Sequence, residues 1–185
     1  MNESTTTTAA LVAVPTAHGT FEAALTERGI RCLMFPNQTG AAERWLARHL
    51  HGAVLRTTVL RTADPRASAL AGELDAYFRG DLTAFTVPLD LAGTPFQLSV
   101  WRQLQAIPYG ESRSYADVAR AIDRPRAVRA VGAANGANPV PIIVPCHRVI
   151  GSSGALTGFG GGLDWKRRLL ATENAARWGE LPLLA

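Results

Sequence analysis

The stretch SYADVARAIDRPRAVRAVGAANG, residues 114–136, decides how the second half of this chain folds. Ser114, with Asp117 three residues on, is a capping-box start in which each side chain satisfies the other's backbone amide. Behind it Tyr115, Val118, Ala119 and Ile122 return on one face at helical spacing. Asp123-Arg124-Pro125 breaks that run, and Pro125 is expected to open a further helix, since proline suits a first helical position. Two short helices joined by such a turn have the outline of a helix-turn-helix, whose second member is the usual reader of a DNA groove. Many helix pairs bind nothing, so the pattern by itself is weak. The second helix runs into Gly132, Ala133, Ala134, Asn135 and Gly136, almost without side chains. Two readings stay open for it. Arg126, Arg129 and Ala133 on one face would set two cations beside a smooth backbone able to enter a groove, or the small residues let the helix pack tightly on a core.

Upstream, Thr94-Pro95-Phe96-Gln97 combines a capping residue, a proline at the first helical position and a glutamine three residues after the cap, which predicts a helix to about Ala106. The Leu91-Ala92-Gly93 segment before it, after a strand at Pro88, is the expected domain boundary. Between His18 and Leu91 the pattern predicts strands around Thr20 to Leu25, Ile30 to Phe35 and Val54 to Leu60. Helices are expected at about Ala41 to Leu50 and Arg66 to Arg79, where Leu70, Leu74, Tyr77 and Phe78 share a face and Gly80 supplies a stop. The organisation is therefore a loose tail over residues 1–10, an α/β domain over 11–91, a mainly helical domain over 92–175 and a second tail over 176–185.

With 185 residues and 47% apolar composition, the chain can bury one good core or two small ones. No apolar run approaches the ~20 residues of a membrane-spanning helix, and the polar, acidic start lacks the basic-then-apolar order of a signal peptide. No membrane is expected as partner, and the expected location is the cytoplasm. In that reducing setting Cys32 and Cys146 should both be free thiols. The charge is uneven. Residues 1–91 hold 8 Arg against 9 Asp and Glu, whereas residues 92–185 hold 11 Arg and Lys against 6 Asp and Glu. Basic charge gathered in the second half fits an anionic partner such as nucleic acid, although scattered surface arginines are commoner for solvation alone.

Downstream, residues 138–150, NPVPIIVPCHRVI, combine an apolar strand, prolines that fix its ends and a thiol beside an imidazole. A lone cysteine in a strand is most often a small core hydrophobe. Pro145, His147 and Arg148 reverse that reading for Cys146, because a rigid backbone and adjacent bases or cations hold a thiol accessible and favour its thiolate. The segment closely resembles the active-site motif of the O6-alkylguanine-DNA alkyltransferases, also called methylated-DNA–protein-cysteine methyltransferases. The resemblance runs from near Thr94 to about Glu173. It takes in Ile107-Pro108-Tyr109-Gly110, Ser114-Tyr115, Ala130-Val131-Gly132, the Pro-Cys-His-Arg-Val block and Gly161-Gly162-Leu163, while the first 90 residues match only in length and strand-helix order.

The resemblance implies an α/β (α+β) fold: a small ribonuclease-H-like sheet with helices at the N-terminus, then a mainly helical domain with a winged helix-turn-helix. It implies direct-reversal repair, with a methyl or other alkyl group moved once from O6-alkylguanine in double-stranded DNA to the thiolate of Cys146; O4-alkylthymine is a related substrate. Displacement at a saturated carbon needs a soft, desolvated nucleophile in line with the carbon–oxygen bond, which suits a thiolate. His147, acting through a water, would remove the thiol proton, with Glu173 orienting it. Tyr115 would assist the leaving guanine and crowd the phosphate of the extruded nucleotide. Arg129 would fill the vacated stack from the minor groove. Arg126, Ala130, Gly132, Ala133 and Asn135 complete the implied DNA surface. Asn138 is the implied hinge between the recognition helix and the active-site strand. Pro141, Val149, Phe159 and Gly160 would line the substrate pocket, the last two on the glycine-rich loop 157–162.

No cofactor is expected. No metal is expected either, since the N-terminal half offers only Cys32, His18, His49 and His51 without paired ligand spacing. The protein is expected to act as a monomer. Three other readings stand beside this one: a sensor that binds alkylated DNA without repairing it, a regulator that signals through the same cysteine, and a cysteine hydrolase. Turnover number separates them. Two departures, Gly136-Ala137-Asn138 before the proline and Phe159 where tyrosine is common, touch pocket shape rather than thiol chemistry.

Overall fold

The computed structural model describes residues 9–49 and 64–173. The strand expected at Val54 to Leu60, Leu50 at the end of its expected helix, His51, Met1 to Thr8 and the tail over 176–185 lie outside them. Chain contacts divide the molecule into two units, Met1–Asp75 with Thr86–Leu91, and Ala76–Phe85 with Ala92–Ala185.

The first unit is built on an antiparallel meander, β1 (Ala10–Thr16), β2 (Gly19–Thr26) and β3 (Gly29–Met34), in that order. β1 starts at a residue assigned to the tail in the sequence reading and was not foreseen, because its alternation is short and interrupted by Pro15. Register sets two faces. Leu11, Ala24 and Cys32 stand across from one another on one face, where Ala42 and Leu46 of α1 (Ala41–His49) complete a buried cluster. Val12, Ala23 and Leu33 share the other face and are fully buried, as period-two alternation requires. The strand expected at Pro88 reduces to a single bridge, Leu89 beside Ile30. It is secured by Ile30 N–H to Pro88 O at 2.9 Å and by Asp90, whose carboxylate takes the Thr26 hydroxyl at 2.8 Å and pairs with Arg28 and Arg31. Gly29 allows this approach: its φ is +143°, and a Cβ there would stand 2.3 Å from Pro88 O. α2 (Pro65–Arg79) follows, with Leu70 and Leu74 fully buried; its last turn, with the fully buried Tyr77, belongs to the second unit.

The second unit is mainly helical: α3 (Pro95–Gln105), α4 (Tyr115–Ala121), α5 (Val128–Gly136) and α6 (Leu163–Glu173), with a two-residue parallel pairing of β4 (Arg113–Ser114) and β5 (Val149–Ile150). Both capping boxes form, Thr94 with Gln97 and Ser114 with Asp117. Val100, Trp101, Leu104, Val118, Ala119, Val131 and Ala134 are buried, and the Trp101 indole donates to Ala134 O at 2.9 Å. The small residues of α5 thus serve close packing on their inner side.

Two expectations are corrected here. Pro125 does not open the second helix of the pair: residues 125–126 form a turn and α5 begins at Val128, so Arg126 is not on the helical face of Arg129 and Ala133. Residues 139–145 do not form a strand either. They make a tight turn in which Val144 N–H reaches Val140 O at 3.0 Å and Pro141 bridges Val144, with Ile142 at φ +75°. Three prolines in seven residues leave too few amides for a ladder. No helix among the described residues is long and apolar enough to cross a membrane.

Candidate active site

Asn138 shapes the turn that presents the cysteine. Its Oδ1 accepts Val140 N–H at 3.0 Å, and its Nδ2 donates to Val144 O at 2.8 Å. That bracket closes residues 138–144 and delivers Cys146 to the head of a 3-10 turn, Cys146–Arg148. The side-chain amide of Asn138 also acts on the Cys146 thiol, lowering its pKa.

The thiol is buried, 4% exposed, which corrects the expectation of an accessible group. Burial pushes its pKa up to about 11, against the lowering effect of the Asn138 amide, the Lys166 charge and nearby backbone N–H groups. The resting thiol is therefore protonated, and forming the thiolate requires a base.

His147 is fully buried, and its Nε2 lies 2.7 Å from Glu173 Oε1. Burial holds the ring below its ordinary pKa despite the carboxylate, so the imidazole is neutral. A carboxylate only accepts, so Nε2 carries the proton and Nδ1 keeps a lone pair. Nδ1 is buried and has no hydrogen-bond partner among the described residues.

Glu173 is the hub beneath the imidazole. Oε1 takes the Tyr77 hydroxyl at 2.8 Å and Arg148 Nη2 at 2.9 Å besides His147, and Oε2 takes Arg148 Nε at 2.8 Å and Gly110 N–H at 3.2 Å. Burial alone would push the carboxyl up, but the hydrogen bonds from His147 and Arg148, with the Arg148 charge, outweigh it and hold it at about 2. Arg148 spends its remaining nitrogen on Ile107 O at 2.5 Å. Sequence reasoning missed Tyr77, which reads as one more apolar residue on the buried face of α2. It saw Arg148 only as a neighbouring cation.

Lys166 was also missed. It is fully buried in α6, and its ammonium donates to Val149 O at 2.7 Å and Thr157 O at 3.1 Å, tying the strand after the cysteine to the loop beyond it. Burial brings its pKa down to about 8, opposed by the neighbouring Cys146. On that loop Thr157 donates to the Tyr115 hydroxyl at 3.0 Å. Val149 is buried, Pro141 and Phe159 are half-buried and Gly160 is exposed.

Arg129, Ala130 and Ala133 are exposed on α5, and Gly132 lies under the Tyr115 ring, 3.8 Å from where its Cβ would stand. Arg126 is exposed in the preceding turn. Asn135, expected on the DNA-facing surface, is buried instead and donates to Cys146 O at 3.3 Å. Its place in the helical repeat puts it on the core side with Val131. Among the described residues no three metal-ligating side chains gather.

A buried thiol, a neutral histidine with an open lone pair and an ionised glutamate have the chemistry to serve as nucleophile, base and orienter, in the same unit as a helix pair with an arginine-bearing outer face. Comparison with known proteins identifies the family. Residues 11–91 match the family model of the ribonuclease-like domain of 6-O-methylguanine DNA methyltransferase, and residues 95–175 match that of its DNA-binding domain. A methylated-DNA–protein-cysteine methyltransferase of Mycolicibacterium paratuberculosis is 63% identical over 113 residues, 60% of this chain and 68% of that protein. The crystal structure of the Mycobacterium tuberculosis O6-methylguanine methyltransferase superposes with a TM-score of 0.72 at 42% identity, covering 90% of this chain and 93% of the other. That of Mycobacterium tuberculosis OGT in complex with DNA gives 0.70 at 42% identity, covering 91% and 93%. This chain belongs to the 6-O-methylguanine DNA methyltransferase family.

Proposed function

We propose that this protein repairs DNA by direct reversal, moving the alkyl group of an O6-alkylguanine in double-stranded DNA onto Cys146 and keeping it there. It is a methylated-DNA–protein-cysteine methyltransferase that acts once. The observation that carries this reading is the buried pair His147 and Glu173 next in sequence to the buried Cys146, with the imidazole Nδ1 unpartnered among the described residues.

A base stacked in a duplex cannot offer O6 to a buried thiol, so the nucleotide is extruded, at a cost of a few kcal/mol. Arg129 fills the gap from the minor groove, and the exposed Ala130 and Ala133, with half-buried Gly132 between them, leave a nearly side-chain-free surface that lets α5 lie against the backbone. Arg126 adds phosphate attraction from the turn. Tyr115 stands where the recognition helices meet the loop, tied to Thr157. The guanine enters between that loop, Pro141 and Val149, with Phe159 and Gly160 as its outer wall.

Chemistry follows from the protonation states. One water between Nδ1 of His147 and the Cys146 thiol carries the proton to the imidazole, and Glu173 stabilises the imidazolium through Nε2. The Lys166 ammonium and the Asn138 amide stabilise the thiolate. Sulfur attacks the alkyl carbon, the carbon–O6 bond breaks, and its electron pair passes into the guanine as Tyr115 donates its proton to a ring nitrogen. The thioether has no leaving group for water to displace, so turnover ends at one.

In this reading residues 11–91 are an N-terminal α/β domain and 92–175 carry both DNA binding and transfer. The protein acts as a monomer in the cytoplasm. Mixing it with a duplex containing O6-methylguanine should consume one equivalent and no more, and Cys146→Ser should consume none. Continued turnover would replace the proposal with a hydrolase.

A further inference from the structure

The Cys146, His147, Glu173 line does not account for the tyrosine beneath it. Tyr77 sits in the last turn of α2, within the segment Ala76–Phe85 that belongs to the second unit although the ribonuclease-like family model spans it. It is fully buried, caged by Phe78 and Phe85 with ring centroids at 5.4 Å and by Tyr109 at 6.0 Å. An apolar cage would hold a phenylalanine equally well. The hydroxyl is spent instead on Glu173 Oε1 at 2.8 Å, the same oxygen that receives His147 Nε2, which lies 3.4 Å from the phenol.

We propose that Tyr77 is a positioning residue for alkyl transfer: its hydroxyl fixes the Glu173 oxygen that orients His147 and limits how strongly that carboxylate holds the imidazole proton. This rests on the function proposed above. Arg148 clamps the carboxylate from one side through Nε and Nη2, and Gly110 N–H takes Oε2. Tyr77 is the donor that shares Oε1 with the imidazole from a separate element. With it in place, Oε1 divides its electron density among three donors. Without it, the oxygen is more basic toward His147 and freer to turn, so the ring keeps its proton to higher pH and holds its orientation less well. The other groups acting on this ring or its carboxylate are Arg148 of the 3-10 turn, Lys166 of α6 and Tyr109 before β4. None of them replaces the phenol.

The test is Tyr77→Phe in the full chain. Phenylalanine keeps the cage and Glu173 keeps its other hydrogen bonds, so lesion-DNA affinity should be unchanged. The single-turnover methyl-transfer rate at neutral pH should fall about tenfold. The acid limb of the rate profile, and the titration of the His147 imidazole followed by 15N NMR, should both move to higher pH. A rate and limb equal to those of the unmodified protein would overturn the proposal. So would a slower rate with an unmoved limb, which marks a merely structural side chain. If Tyr77→Phe does not fold, 3-fluorotyrosine at position 77, a stronger donor of nearly the same shape, should move the His147 titration to lower pH, and no movement would overturn the proposal. The NMR titration needs no repair activity. An unmodified protein that transfers no methyl therefore refutes the function proposed above, while the titration still decides the role of Tyr77.

Discussion

Methylation of Cys146 should destabilise the protein that has done its work. The thiol is 4% exposed and lies under the influence of the Asn138 amide, which holds Val140 and Val144 in the turn leading to the cysteine. One added methyl group must fit a closed site, and overpacking of a buried position costs about 1–3 kcal/mol. Disturbing the Asn138 bracket on Val140 and Val144 costs roughly 1 kcal/mol more, since one of its hydrogen bonds is then weakened or lost. The sum, about 2–4 kcal/mol, corresponds to a fall in Tm of about 5–15 °C for a chain of this size. The strain falls on a turn that already holds Ile142 at φ +75°, a conformation disfavoured for a β-branched residue. The assay is scanning calorimetry on protein methylated by one equivalent of lesion duplex and then freed of DNA. Cys146→Ser carried through the same steps is the control, and peptide mass analysis shows that Cys146 rather than Cys32 carries the methyl group. A Tm unchanged within about 1 °C, or raised, would refute the reasoning, because it would mean the site holds room that the buried thiol does not reveal.

Acid should expose the Glu173 hub. Its carboxyl is held at about 2, below the ordinary carboxylate value, so its contribution is complete above pH ~4.3 and is lost as pH falls through the folded-state value. Urea unfolding between pH 6 and pH 2 should lose up to about 3 kcal/mol more in the native protein than in Glu173→Gln; parallel curves would mean the hub stores no such energy. Gly29→Ala should cost about 2–4 kcal/mol in urea unfolding, because the backbone at φ +143° and Pro88 O at 2.3 Å both exclude a side chain. Unaltered stability would show that the Leu89 bridge yields easily. Arg129→Ala should slow transfer from duplex DNA about 10–100-fold yet barely affect transfer from a single strand, where no stack needs filling. Equal losses on both substrates would assign Arg129 to general DNA attraction.

What sequence could and could not disclose follows from the range of the forces involved. Both capping boxes were legible at Thr94 and Ser114 because their partners lie three residues away. Cys146, His147 and Glu173 were named through a resemblance, and the structure adds the 2.7 Å bond between His147 and Glu173. The strand expected before Cys146 failed because apolar residues between prolines look alike in a strand and in a buried turn, and only Asn138 reaching forward to Val144 separates them. Pro125 misled in a similar way, since a proline before a helix also suits a turn residue. Asn135 was assigned outward because the small residues of α5 hide which side of that helix packs. Tyr77 and Lys166 reveal themselves only through tertiary contacts, with Glu173 lying 96 residues beyond Tyr77. An apolar face for the first and a charged helix for the second were the only local signals.

The most direct test of the account is transfer itself. Purified protein is incubated with a duplex carrying labelled O6-methylguanine, and the peptide containing Cys146 is weighed. The account predicts a gain of one methyl group on Cys146, saturating at one equivalent of protein, with unmodified guanine left in the DNA and no gain in Cys146→Ser. DNA that binds while Cys146 stays unmethylated would contradict it, and the roles given to His147, Glu173 and Tyr115 would fall with it.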